Sequence, residues 1–309
     1  MKIVLLDYAT LGSIGELETI KNLGEFTYYE HTSPSQILER IADADVVITN
    51  KVKLDRSVLE KNKSLKLISI LATGMNNVDL KAAEELGIEV KNVEGYSTNS
   101  VTQHTFAVLF QLLHQLRFYD DYVKNGQYAN SPIFTHIGYE YWEIKNKTFG
   151  IIGLGNIGKQ VASVATAFGA NVVYYSASGK NNDNQYQRVE LDELLNESDI
   201  VSIHAPLNKY TQGLLGKEAF EKMKTTAILL NMGRGGIVDE ASLANALDEK
   251  QLFAAGLDVL EQEPIATDNP LLSINEPNRL LITPHIAWAS VESRALLIQK
   301  TIQNIRSVS

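Results

Sequence analysis

Thr148-Phe149-Gly150-Ile151-Ile152-Gly153-Leu154-Gly155-Asn156-Ile157-Gly158-Lys159 is the stretch that decides the fold. Phe149 to Gly153 reads as a buried strand, and Val161, Val164, Ala165 and Phe168 recur at helical spacing, so the three glycines of a GxGxxG pattern stand in a strand-to-helix turn. The bare pattern is weak evidence, because glycine-rich turns without a ligand share it. Between a strand and a helix it points to a dinucleotide site. Gly153 permits the tight turn, Gly155 lets the main chain approach a pyrophosphate, and Gly158 seats the helix on the strand. The pyrophosphate is expected on the helix N-terminus, where free N–H groups and the helix dipole favour an anion.

Working outward, apolar runs near 149–153, 171–175, 199–203, 226–231, 254–258 and 280–283 alternate with helical patterns, enough for a complete dinucleotide-binding sheet. The preceding residues repeat this grammar, with strands expected near 2–7, 26–30, 45–49, 67–71 and 88–91 and hence a second parallel open sheet. Ser33-Pro34-Ser35-Gln36 opens one helix with a capping residue, a first-turn proline and Gln in the capping-box position. A long helix is expected from near Thr98 through Val101, Phe106, Leu109, Leu112, Leu113 and Leu116 to about Gly126, linking the two units. The tail from Ser290 to Ile305 carries Leu296, Leu297, Ile302 and Ile305 at helical spacing and is expected to return to the first sheet. The fold class is therefore α/β with two doubly wound parallel-sheet domains, residues 1–97 with 287–309 and residues 98–286. A ligand is expected in the cleft between them.

A length of 309 residues suits two domains, and 44% hydrophobic with 21% charged residues describes an ordinary globular chain without repeats or low-complexity tracts. The net charge of −9 argues against nucleic acid or an anionic membrane surface as the main partner, and an anionic substrate would need a local cationic pocket. Ile3-Val4-Leu5-Leu6 is too short an apolar run for a signal peptide or a membrane span, so a cytoplasmic protein is expected. With no cysteine there is no disulfide, thiolate nucleophile or cysteine metal site, and no metal is expected. Eight of the 24 aromatic residues fall at Phe118, Tyr119, Tyr122, Tyr128, Phe134, Tyr139, Tyr141 and Trp142. Aromatics so dense and without regular period suit an arm at the interface of a homodimer.

Three later segments place polar groups just past an apolar strand: Asn231-Met232-Gly233-Arg234-Gly235-Gly236, Asp258-Val259-Leu260-Glu261-Gln262-Glu263-Pro264 and Thr283-Pro284-His285-Ile286-Ala287-Trp288. Ligands bind at the carboxyl ends of parallel strands. Hydride reduction of an α-keto acid needs a fixed cation for the carboxylate and carbonyl, a proton donor at the carbonyl oxygen and a carboxylate to orient that donor. Arg234, His285 and Glu263 have the chemistry for those three roles.

In these segments the chain resembles the D-isomer-specific 2-hydroxyacid dehydrogenases, over essentially its whole length. The resemblance implies a Rossmann NAD(P)-binding domain inserted into a flavodoxin-like substrate domain. It implies catalytic roles for Arg234 in the GRGG turn, Glu263 before the proline of DVxxxEP and His285 of the PH pair. For the cofactor it implies Gly153, Gly155, Asn156, Ile157, Gly158, His204-Ala205-Pro206, Met232, Gly233, Ala287, and Asp258 at the nicotinamide carboxamide. For the substrate it implies main-chain N–H groups of Thr73 and Gly74 in the run Leu71 to Asp79, together with Arg234 and His285. Within the family, Gly95 to Thr105 and the ending His285-Ile286-Ala287-Trp288 are similar to glycerate dehydrogenases, also called hydroxypyruvate reductases. That similarity points to hydroxypyruvate, with glyoxylate as a smaller relative. A dinucleotide-sensing protein on the same fold is the alternative; it would need the glycine loop but no proton donor.

One position departs from the family pattern. The acidic residue expected some 20 positions past the glycines is Ser176, followed by Ala177-Ser178-Gly179-Lys180. Serine does not repel a 2′-phosphate and Lys180 offers it a charge, so NAD and NADP both stand open. Asp239 and Glu240 read as helix caps. His31, His114 and His136 have no evident partner, and His104, on the long helix, is either a substrate-side residue or packing.

Overall fold

The apolar runs of the N-terminal part form β1 (Lys2–Leu5), β2 (Glu25–Tyr28), β3 (Val46–Thr49), β4 (Leu67–Ile70) and β5 (Glu89–Lys91) in a computed structural model describing residues 1–13 and 17–308. Between them lie α1 (Leu17–Lys21), α2 (Ile37–Ile41), α3 (Arg56–Leu59) and α4 (Leu80–Glu85). The chain divides into two units, Met1–Ser97 with Trp288–Ser309, and Thr98–Ala287.

In the first unit the strands are parallel in the order β2-β1-β3-β4-β5, the flavodoxin-like doubly wound order. Residues of β3 and β4 are buried on both faces, which is why they read as continuous apolar runs rather than alternating ones. One face, Ile3, Leu5, Val46, Ile48 and Leu67, packs with Leu297, Ile298, Ile302 and Ile305 of the C-terminal helix Val291–Arg306. Ser290 caps that helix by accepting from Ser293 N–H at 3.1 Å. The opposite face, Val4, Val47, Ile68 and Ile70, packs with Ile37, Ile41, Leu59, Ala82 and Ala83. Asp55 and Asp79 cap α3 and α4. The expected capping-box contact of Gln36 is present, its Oε1 accepting from Ser33 N–H at 3.0 Å.

The second unit runs α5 (Thr98–His114), α6 (Leu116–Lys124), β6 (Thr148–Ile152), α7 (Asn156–Ala167), β7 (Asn171–Tyr175), β8 (Gln187–Arg188), α8 (Leu191–Glu197), β9 (Ile200–Ile203), α9 (Lys217–Lys222), β10 (Ile228–Asn231), α10 (Glu240–Asp248), β11 (Ala254–Leu257) and β12 (Leu280–Ile282). Its strands are parallel in the order β12-β11-β10-β9-β6-β7-β8. The six expected strands are joined by β8, a two-residue edge strand too short to show as a periodic run. From β6 the chain goes to β7 on one side while β9 lies on the other, the switch point at which open α/β sheets bind ligands. Val201, Ile203, Leu229 and Leu257 pack with Leu194, Phe220, Leu243 and Leu247 on one face. On the other, α5 lies so close that a Cβ on Gly256 would sit 2.3 Å from Val108.

The helix expected to run unbroken from Thr98 to about Gly126 is instead two helices. Gln115 adopts φ +50 in the left-handed region, and its Nε2 donates to Leu112 O at 2.8 Å. The apolar period continues across the break, but Leu116 is 52% exposed and no residue of α6 is buried.

Candidate active site

Registration of the second sheet fixes the site. Ile152 pairs with Tyr175 and Ile203, Ile203 with Asn231, Asn231 with Leu257, and Leu257 with Ile282. The next residue of each strand therefore falls in one row along the carboxyl edge: Ser176, Gly153, His204, Met232, Asp258 and Thr283.

The three glycines of the turn are glycine for three different reasons. Gly153 has φ +95, and a Cβ there would lie 2.7 Å from Ala205 N. A Cβ on Gly158 would lie 2.3 Å from Gly153 O, so the helix start is packed onto the turn. A Cβ on Gly155 would meet nothing within 4 Å. Gly155 is the N-cap of the 12-residue α7 and supplies no capping side chain, and the N–H groups of Asn156 and Ile157 have no acceptor among the described residues. This backbone cradle fits a pyrophosphate. Gly233 closes the wall, its Cβ position lying 2.8 Å from Ala205 O, and Pro206 O accepts from Thr211 Oγ1 at 2.7 Å.

His204 is half-buried, with Nε2 2.9 Å from Ser202 Oγ and Nδ1 buried without a partner among the described residues. Burial pushes its imidazole down to about 3, so the ring is neutral across the physiological range. Ser176 is 6% exposed, and its Oγ accepts from Asn181 N–H at 3.3 Å. Asn181 in turn donates from Nδ2 to Leu154 O. The hydroxyl of Ser176 thus ties the loop after β7 to the glycine turn. Lys180 is exposed and forms no ion pair among the described residues.

Two catalytic candidates are in direct contact. Glu263 Oε2 lies 2.7 Å from His285 Nδ1, and Glu263 Oε1 accepts from Leu260 N–H at 3.1 Å. A carboxylate only accepts, so Nδ1 carries the hydrogen in this contact. His285 itself has φ +56, sparsely populated for a residue with a Cβ. Asp258, 2% exposed, accepts from Ile286 N–H and Ala287 N–H, both at 2.9 Å, so it clamps the two residues that follow the histidine. Arg234 is half-buried, makes no ion pair among the described residues, and turns its Nη1 onto Gly233 O at 2.8 Å. Its turn is stapled by Asn231, whose side chain accepts from Gly233 N–H and donates to Arg234 O. A Cβ on Gly235 would sit 1.8 Å from Leu260 O. The turn of Arg234 therefore packs on the loop that Glu263 holds.

Residues 106–287 match the family described as D-isomer specific 2-hydroxyacid dehydrogenase, NAD binding domain. The hydroxypyruvate reductase of Blautia hydrogenotrophica is 40% identical over 314 residues, covering 99% of this chain and 96% of that protein. The chain belongs to the D-isomer specific 2-hydroxyacid dehydrogenase family. The dehydrogenase is also 36% identical to the glycerate dehydrogenase of Methylorubrum extorquens, over 99% of this chain and 95% of that one. A solved acyclic imino acid reductase, in complex with NADPH and D-Arg, superposes with TM-score 0.89 at 31% identity, covering 100% of the dehydrogenase and 97% of that chain.

In the first unit of the dehydrogenase, Thr73 and Gly74 occupy the loop past β4. Thr73 Oγ1 donates to Val93 O at 3.1 Å and Thr73 O accepts from Asn92 Nδ2 at 2.7 Å. The main-chain N–H groups of both residues have no acceptor among the described residues.

Some of the dehydrogenase's residues do work that sequence reasoning missed or misassigned. Asp239 caps α10 by accepting from Ser242 N–H at 2.7 Å, but Glu240 does not cap: it is 7% exposed and accepts from Glu261 N–H at 2.6 Å, tying α10 to the Glu263 loop. Burial and the Glu240 carboxylate push the Glu261 carboxyl above its ordinary range. His136 stacks on Tyr122 at 4.0 Å and His114 lies 4.4 Å from Tyr141, so both belong to the aromatic segment. His104 reaches Thr283 Oγ1 at 3.0 Å. The available signal was a polar residue ending a strand of apolar neighbours, as Asn231 does.

Proposed function

We propose that the dehydrogenase reduces hydroxypyruvate to D-glycerate, with glyoxylate reduced to glycolate as the smaller alternative. The observation that carries this reading is the 2.7 Å bond between Glu263 and His285 Nδ1. A protein that only sensed a dinucleotide would need the glycine cradle but no oriented proton donor. When bound, the reduced nicotinamide cofactor supplies the hydride. Arg234 binds the substrate carboxylate and polarises the carbonyl with its planar fork. His285 delivers a proton from Nε2 to the oxygen as charge develops there, and Glu263 holds the ring and supports its charged form. In the first unit, the proposal assigns Thr73 and Gly74 N–H groups to the substrate carboxylate. The names of the hydroxypyruvate reductase and glycerate dehydrogenase relatives support the substrate class.

The residues fit either NAD or NADP, since no acidic side chain occupies Ser176 to Asn182. Initial rates with NADH and NADPH against hydroxypyruvate, glyoxylate and pyruvate test the proposal. The expected outcome is highest kcat/KM for hydroxypyruvate; turnover of none of the three acids would overturn it. We further propose a homodimer formed through the aromatic segment 118–142, where Ile133, Phe134, Ile137 and Tyr141 are 62, 88, 80 and 58% exposed.

A further inference from the structure

We infer that His104 is a positioning residue for proton transfer, acting through Thr283 on the carboxylate that holds the His285 segment. His104 stands on α5, its side chain 19% exposed, with Nε2 3.0 Å from Thr283 Oγ1 and 3.6 Å from Asp258 Oδ1. Thr283 Oγ1 lies 2.7 Å from that same Asp258 oxygen. Asp258, as a carboxylate, only accepts, so the single hydroxyl proton of Thr283 is committed to it, and a lone pair of Oγ1 is left toward the imidazole. Nε2 of His104 must then carry hydrogen. The bonds have one direction, from His104 to Thr283 to Asp258.

The end of that line bears on the chemistry. Asp258 takes the N–H groups of Ile286 and Ala287, and His285 N–H donates to Thr283 O at 2.9 Å. Thr283 is therefore gripped at both ends, by its hydroxyl between His104 and Asp258 and by its carbonyl beneath His285. The left-handed backbone of His285 is a conformation that surroundings must impose. The imposing contacts are the Asp258 clamp and the Thr283 carbonyl, and the orientation of both depends on a helix residue that touches no reacting atom. Ala287 is held from α5 as well, its carbonyl accepting from Ser100 Oγ at 2.6 Å. One helix thus supports the acid–base segment at two points. If His104 were packing only, its ring could be replaced by an apolar group of similar size without kinetic consequence.

This inference rests on the hydride-transfer reading above. The test uses the full chain as wild type, Thr283→Val, Thr283→Ser, His104→Leu and the Thr283→Val/His104→Leu double variant, assayed with hydroxypyruvate and NADH. Nitrogen-15 NMR reads the histidine tautomers of the wild type. Thr283→Val and His104→Leu should each lower kcat about tenfold or more while KM for NADH stays within about threefold, and the double variant should be no worse than the more impaired single one. Thr283→Ser, which keeps the hydroxyl, should stay within about threefold of wild type. His104 should show the Nε2–H form. A Thr283→Val enzyme within about twofold of wild type in kcat, single effects that multiply in the double variant, or an Nδ1–H tautomer of His104 would each overturn the inference. Should Thr283→Val fail to fold, His104→Leu and the tautomer decide. Should the wild type turn over no keto acid, the proposed function fails by itself, and the tautomer still tests the direction of the bonds.

Discussion

Because a carboxylate can only accept, Glu263 fixes the hydrogen on Nδ1 of His285, and the proposed function gives the proton-transfer role to Nε2. Glu263→Gln keeps the shape but removes the charge and lets an amide N–H face Nδ1. We expect kcat to fall by roughly 10- to 100-fold with little change in KM, read by single-turnover hydride transfer. Arg234→Lys replaces a planar fork by a point charge that cannot bridge carboxylate and carbonyl. The expected loss in kcat/KM is ~2 to 4 kcal/mol of transition-state binding, measured on the folded variant. His204 makes a different kind of claim, about stability. Its folded-state pKa of about 3 lies below the ordinary histidine value, so between about pH 6.5 and about pH 3 the unfolded chain takes a proton that the folded one refuses. Stability should be unaffected by this group above pH 6.5 and fall as pH drops through that window, by on the order of 5 kcal/mol at its lower limit. Urea titrations from pH 7 to pH 4 should show a shallower acid limb in His204→Gln. The segments that bring Glu263 and His285 into contact were legible because each follows an apolar run. The work of Asn231 and His104 was not, since it depends on which carbonyls and hydroxyls the fold brings near, and spacing carries no such information.

Among the elements, most strands were legible to within two or three residues, because buried parallel strands leave unbroken apolar runs. Where reading failed, the cause was local. Gln115 breaks a helix whose apolar period gives no hint of a break, and β8 is too short to show a period. Glycines of equal appearance also differ in what they do. Gly155→Ala places a methyl where the protein has nothing within 4 Å, so thermal stability should hold while Kd for the cofactor rises about tenfold or more, by fluorescence titration. Gly235→Ala pushes a methyl into Leu260 O at 1.8 Å, backbone against backbone. It should destabilise the fold by ~3 kcal/mol or more in denaturant titrations, and the kinetic loss should follow the displaced Glu263 loop. The two variants invert each other's phenotype, which would fail if both glycines served only the turn.

At the scale of the whole molecule, the exposed apolar side chains of residues 133–141 bear on assembly. Phe134→Ser with Ile137→Ser should lower the molar mass seen by light scattering toward that of one chain while leaving each unit folded by circular dichroism. A wild type that is already a single chain in solution would remove the dimer proposal. The return of the C-terminal helix to the first sheet was legible from its period, and it has a consequence for how the protein is made. Ile3, Leu5, Val46, Ile48 and Leu67 lie on a sheet face completed by Leu297, Ile298, Ile302 and Ile305. On a ribosome that face stays uncovered while the whole of the second unit is translated, so of the two units the one begun first is completed second. Released chains ending at Ala287 should therefore show amide protection across β6 to β12 and little across β1 to β5, a state in which a chaperone has one particular surface to shield.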